Sequence, residues 1–158
     1  MSDTGWVDVP YDLPTAILPD ALWISGSPID CEWLGKTGVS LVVDVADPEL
    51  RIEASQIGTF TYCKEALVDG PELPTAATLD RLVDDVVAAV RNGRRVLVAC
   101  AGGRNRSGLV VALAVRELLG CSGAEAVQRV QSLRQDALNN QTFAQHIAAL
   151  PAPATAQR

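Results

Sequence analysis

Apolar positions recur along the chain with two periods, and the alternation between them predicts its architecture. Ala21-Leu-Trp-Ile-Ser25, Ser40-Leu-Val-Val-Asp-Val45 and Arg95-Val-Leu-Val-Ala99 are short, mostly apolar runs, as buried strands are. Phe60 to Leu67 is a weaker strand. From Thr75 the apolar residues Leu79, Leu82, Val83, Val86, Val87 and Val90 fall on one helical stripe, with Asp80, Asp84, Asp85 and Arg91 off it, and Asn92-Gly93 closes the helix. Ser107 to Leu119 is apolar on almost every side, as a helix sunk in a core should be. Ser122-Gly-Ala-Glu125 is a capping-box signature for a helix to about Arg134, and Gln141 to Leu150 forms a last one. Two further helix starts are expected where a small or acidic residue precedes proline, at Ser27-Pro28-Ile29-Asp30 and at Asp47-Pro48-Glu49.

Strands alternating with helices imply an α/β fold: a single domain with a central, mainly parallel sheet flanked by helices on both faces. The domain is expected over residues 14–150, with residues 1–13 and 151–158 as flexible termini. In such sheets ligands bind beyond the carboxyl ends of the strands, which directs attention to the residues following Ala99.

Composition narrows the function. Of 158 residues, 48% are hydrophobic and 20% charged, the balance of a folded globular protein. The net charge of −6 argues against nucleic acid or an anionic membrane as a partner, so any anion site must be local. Leu109 to Val115, the longest purely apolar run, is too short to span a bilayer. The N-terminus has no basic start and no apolar h-region, so a secretory signal is not expected. Cys31, Cys63, Cys100 and Cys121 are scattered, with no C-x-x-C pair and one histidine, His146; neither a zinc site nor a disulfide framework is suggested. A cytoplasmic monomer without cofactor or metal is expected.

One cysteine stands apart. In Val96-Leu-Val-Ala-Cys-Ala-Gly-Gly-Arg-Asn-Arg-Ser-Gly108 a strand ends at Cys100 and a helix opens at Arg106. Gly102 and Gly103 free the backbone so that the N–H groups of Ala101, Gly102, Gly103, Arg104, Asn105 and Arg106 can converge on one anion. The positive end of the helix dipole favours an anion there and the thiolate form of Cys100. Arg106 can offer a phosphoryl group two parallel N–H bonds, and Ser107 is placed to hydrogen-bond the thiolate. Together these residues read as a site for phosphoryl transfer through a phosphocysteine.

Cys100-x5-Arg106-Ser107, with glycine at 103, resembles the signature loop of the cysteine-based protein tyrosine and dual-specificity phosphatases. Leu22-Trp-Ile-Ser-Gly-Ser-Pro28 and Val39-Ser-Leu-Val-Val-Asp44 look like the opening strands of the compact dual-specificity members. The resemblance implies hydrolysis of phosphotyrosine and of phosphoserine or phosphothreonine, without metal, on phosphorylated proteins or small phosphomonoesters. It implies a general acid on a mobile loop upstream of the cysteine; Asp69, 31 residues before Cys100 in Val68-Asp-Gly-Pro-Glu-Leu-Pro74, fills that place, with Glu72 in reserve. Arg104 would lie at the pocket mouth, and Asn105 would stabilise the loop. Leu133 to Phe143 is similar to a segment near the end of some members, which makes Gln141 a candidate to position the hydrolytic water and Arg134 a structural residue. Where the family usually has histidine before the cysteine, this chain has Ala99. That departure keeps open a phosphate-binding module with little turnover; a rhodanese-type sulfurtransferase is the third class, disfavoured by Arg106-Ser107-Gly108.

Overall fold

The structure, a computed structural model, describes residues 10–47 and 60–154. Five strands, β1 (Thr15–Leu18), β2 (Leu22–Ser25), β3 (Leu41–Asp44), β4 (Thr61–Lys64) and β5 (Val96–Ala99), form one sheet in the order β1-β2-β5-β3-β4. β2, β5, β3 and β4 pair in parallel, and only β1 runs antiparallel, against β2. β2, β3 and β5 are buried at every position, as their unbroken apolar runs require. β1 is a strand that the apolar pattern did not mark. Pro14 and Pro19 leave it four residues, too few for a period to show.

The helices are α1 (Cys31–Thr37), α2 (Ala76–Arg91), α3 (Arg106–Leu119), α4 (Gly123–Leu133) and α5 (Gln141–Ala148). The β2-α1-β3 and β4-α2-β5 crossovers run in opposite directions across the sheet, so right-handed connections put α1 and α2 on opposite faces. α3 packs on α2, β2 and β5, and α4 and α5 follow it, which makes the α2 side the thicker layer. α3 is buried from Ser107 to Val115, as its all-round apolarity demands. The capping box of Ser122 and Glu125 opens α4 as expected. Asp80, Asp84 and Asp85 form an exposed face of α2.

Two expectations change. The helix expected from Ser27-Pro28 begins three residues later, capped by Asp30, whose carboxylate accepts from the Glu32 N–H. Ser27 spends its own N–H on the Ala101 carbonyl, at 2.9 Å, and so belongs to the Cys100 loop instead. Asp12, in the segment assigned to a flexible terminus, is ion-paired to Arg134 and accepts from the Gly26 N–H. The helix start at Asp47-Pro48-Glu49 lies outside the described residues. Among the described residues no helix is long and apolar enough to cross a membrane, and no group of three or more His, Cys, Asp or Glu side chains is placed to hold a metal ion.

Candidate active site

β5 is the central strand, and Cys100 stands at its carboxyl end with the ends of β2 and β3 on either side. The Cys100 side chain is buried. Its Sγ lies 3.2 Å from Ser107 Oγ and accepts the Gly103 N–H at 3.2 Å, so the loop is already curled around the sulfur. Gly103 makes that curl with φ at +66°, where a side chain is disfavoured. A Cβ there would sit 2.4 Å from the Gly26 nitrogen, the Ser25 carbonyl carbon and Arg134 Nη2. Gly103→Ala is therefore expected to destabilise the fold by about 1–3 kcal/mol and to weaken anion binding, read by thermal melting and by vanadate titration.

Arg106 opens α3, with Nη1 donating to the Leu67 carbonyl at 3.4 Å. Its Nε is buried and has no hydrogen-bond partner among the described residues. A buried cationic donor left without an acceptor is costly, and an oxyanion in the loop would relieve that cost. Ala101, Gly102 and Arg104 are exposed around the loop. The Asn105 side chain points to a different task. Its Nδ2 donates to Asp69 Oδ2 at 3.0 Å and to Asn139 Oδ1 at 2.6 Å, while its Oδ1 accepts from the Asn140 N–H at 2.8 Å.

Those bonds bring Asp69 to the Cys100 loop. The β3–β4 ladder continues past β4 through Glu65 N to Asp44 O and Leu67 N to Val45 O, delivering the chain two residues short of Asp69. From the far side Asn140 Nδ2 donates to Asp69 Oδ1 at 2.8 Å and to the Gly70 carbonyl at 2.9 Å, and Thr142 Oγ1 donates to the Pro71 carbonyl at 3.2 Å. The loop that carries Asp69 is thus tied to the N-terminus of α5. Asn140 is also the N-cap of α5, its Oδ1 accepting from Phe143 N, so each end of one amide has its own function. In the sequence Asn140 signals only a helix cap; nothing there reveals that its Nδ2 reaches 71 residues back. Glu72 is exposed further along the loop that carries Asp69, and Gln141 is the exposed first residue of α5, in the same helix as the buried Phe143.

Ala99 is fully buried between Ser25 and Asp44 on the neighbouring strands and brings no side-chain donor to the loop. Asp44 is also fully buried; it accepts from the Ala46 N–H and the Tyr62 hydroxyl and pairs with Lys64 at 3.3 Å. Of the other cysteines, Cys121 has its thiol pushed up by burial, with the Glu125 carboxylate adding to the effect, which disfavours the thiolate there.

No protein-family model matches the chain, and no curated protein matches it by sequence. Solved structures do. A variant of human DUSP28 is 27% identical with a TM-score of 0.74, over 89% of this chain and 95% of that one. A mouse putative dual specificity phosphatase, solved with zinc tungstate, is 25% identical with a TM-score of 0.74, over 94% of this chain and 91% of that one. The human tyrosine phosphatase-like serine/threonine/tyrosine-interacting protein shares the fold at 20% identity, with a TM-score of 0.72, over 85% of this chain and 92% of that one.

Proposed function

We propose that this chain, whose fold is that of the dual-specificity and cysteine-based tyrosine phosphatases, hydrolyses phosphomonoesters through a phosphocysteine at Cys100. Phosphotyrosine in proteins is the leading substrate class, with phosphoserine and phosphothreonine following. The observation that carries the reading is the pairing of two features in one loop. A buried sulfur already receives a backbone N–H, and Arg106 Nε is buried with no acceptor among the described residues.

In the first step the Cys100 thiolate attacks phosphorus while the bond to the ester oxygen breaks. The electron pair goes to that oxygen, and the Asp69 carboxyl supplies its proton. Arg106 and the loop N–H groups hold the equatorial oxygens, where charge is greatest in the transition state. In the second step water attacks phosphorus, Asp69 takes its proton, and the sulfur–phosphorus bond breaks to release phosphate and restore the thiolate. Ser107 Oγ donates to the leaving sulfur from 3.2 Å. Neither step draws on a metal ion or cofactor.

The test is hydrolysis of para-nitrophenyl phosphate, expected to proceed equally with and without EDTA; no hydrolysis above background would overturn the reading. Asp69→Asn preserves the side-chain shape, keeps an acceptor for one of the two amide donors and removes the transferable proton. It is expected to lower kcat by about 10²–10³-fold on alkyl phosphates, and by less on para-nitrophenyl phosphate, whose leaving group needs little protonation. Comparing the two substrate types checks the assignment.

Ala99 favours a second reading, a phosphoprotein-binding module with little turnover, because no side chain at that position supports the thiolate. It predicts vanadate binding by a protein that hydrolyses neither phosphopeptides nor para-nitrophenyl phosphate.

A further inference from the structure

In the Cys100 loop the five carbonyls of residues 101–105 are each held by a donor from another part of the chain or from α3. Ala101 O accepts from Ser27 N at 2.9 Å, Arg104 O from Leu138 N at 3.0 Å, and Asn105 O from Leu109 N at 2.8 Å. The two carbonyls between them share one donor group: Arg134 Nε reaches Gly103 O at 2.7 Å, and Arg134 Nη2 reaches Gly102 O at 3.4 Å. In a trans peptide the C=O and the following N–H point opposite ways, so fixing a carbonyl outward fixes the next N–H inward. The structure displays this for Gly102: its carbonyl faces Arg134, and the next N–H, that of Gly103, meets Cys100 Sγ. By the same rule the bond to Gly103 O turns the Arg104 N–H to the inner side.

Arg134 is itself held. It follows the last residue of α4 in an extended conformation, and its guanidinium is largely covered. Nη2 pairs with Asp12 Oδ2 at 2.7 Å, and Nη1 donates to Leu13 O at 3.3 Å and Thr15 Oγ1 at 3.1 Å. The same Asp12 oxygen accepts the Gly26 N–H at 2.5 Å, and a Cβ on Gly26 would sit 2.4 Å from that oxygen and 2.8 Å from Ala101 O. The segment before β1, the turn after β2 and the Cys100 loop therefore close on one guanidinium.

We propose that Arg134, oriented by Asp12, is a positioning residue for the site: it sets two consecutive peptide planes of the loop so that the Gly103 and Arg104 N–H groups face the bound anion and the sulfur. The inference rests on the reading of the loop as an anion cradle. It makes the segment around Asp12 part of the catalytic apparatus rather than a terminus. Lysine at position 134 keeps the charge but has no planar fork with which to serve two carbonyls, Thr15 and Asp12 at once. Asparagine at position 12 keeps an acceptor for Gly26 N but removes the charge that orients the guanidinium.

The test takes the whole chain and measures, for wild type, Arg134→Lys and Asp12→Asn, the vanadate dissociation constant, the rate of Cys100 alkylation by iodoacetate at about pH 6, and the melting temperature. Both variants are expected to bind vanadate about tenfold more weakly, the order of one charge-assisted donor, and to alkylate at Cys100 several-fold more slowly while still folded. Should Arg134→Lys fail to fold, Asp12→Asn decides alone. A variant that melts lower yet binds vanadate and alkylates like wild type has lost only a structural tie, and that result overturns the inference while leaving the cradle in place. Wild type that neither binds vanadate nor alkylates selectively at Cys100 removes the cradle, and the inference with it.

Discussion

Cys100→Ser is expected to lower kcat for para-nitrophenyl phosphate by at least about 10⁴-fold, the scale seen when a covalent nucleophile is removed. The prediction follows from what the loop can and cannot do for the atom at that position. One backbone N–H and the Ser107 hydroxyl meet Sγ at 3.2 Å, and the α3 N-terminus lies behind them. Those contacts can stabilise negative charge on sulfur, but they cannot ionise a hydroxyl, a much weaker acid than a thiol, to any useful extent at neutral pH. Serine fits the same buried space, so folding and anion binding should persist. Steady-state kinetics beside tungstate titration separates the two effects: activity should vanish while binding stays. Turnover retained by the serine variant would remove Cys100 from the reaction.

Arg106→Lys is the second large effect, with kcat/KM expected to fall by about 10²–10³-fold. Charge is preserved in this substitution and geometry is not. Arg106 has Nη1 near the Leu67 carbonyl and a buried Nε with no partner among the described residues, a planar donor set fixed before substrate arrives. Lysine would bring a single ammonium on a flexible stem and would have to be ordered at the moment of reaction. Loss should appear more in kcat than in KM, because the bidentate contact is worth most when the equatorial oxygens carry the transition-state charge. A rise in KM with kcat unchanged would instead mark Arg106 as a ground-state anchor.

The sequence carries much of this architecture where one chemical pattern admits one structure. The all-round apolarity of Leu109 to Val115 requires a buried helix, and the Ser122–Glu125 pair names its own helix start. Cys100 and Arg106 are legible because their loop joins two strongly patterned elements, so spacing alone places them at a strand end and a helix start. What the sequence hides is the set of long-range ties. Asn140 reads as a helix cap, which it is, yet its other amide atom holds Asp69 and Gly70 from 70 residues and more away. Asp12 reads as a tail residue, because four residues between prolines do not announce a strand, and no local pattern foretells an ion pair 122 positions distant. Ser27 misleads for a related reason: a serine before a proline looks like a cap, but its N–H is committed to Ala101 O. Local chemistry singles out Cys100; tertiary contacts determine how its loop and Asp69 are held.

The central claim is that phosphorus is transferred to Cys100 and then to water. Mixing the protein with a phosphomonoester and quenching in acid at short times, followed by mass spectrometry of the Cys100 peptide, tests it most directly. A phosphoryl group on Cys100, enriched in an Asp69→Asn variant on para-nitrophenyl phosphate because water loses its base while the good leaving group still departs, is the predicted result. Steady hydrolysis with the Cys100 peptide unmodified at every quench time, and with Asp69→Asn also unlabelled, would contradict it.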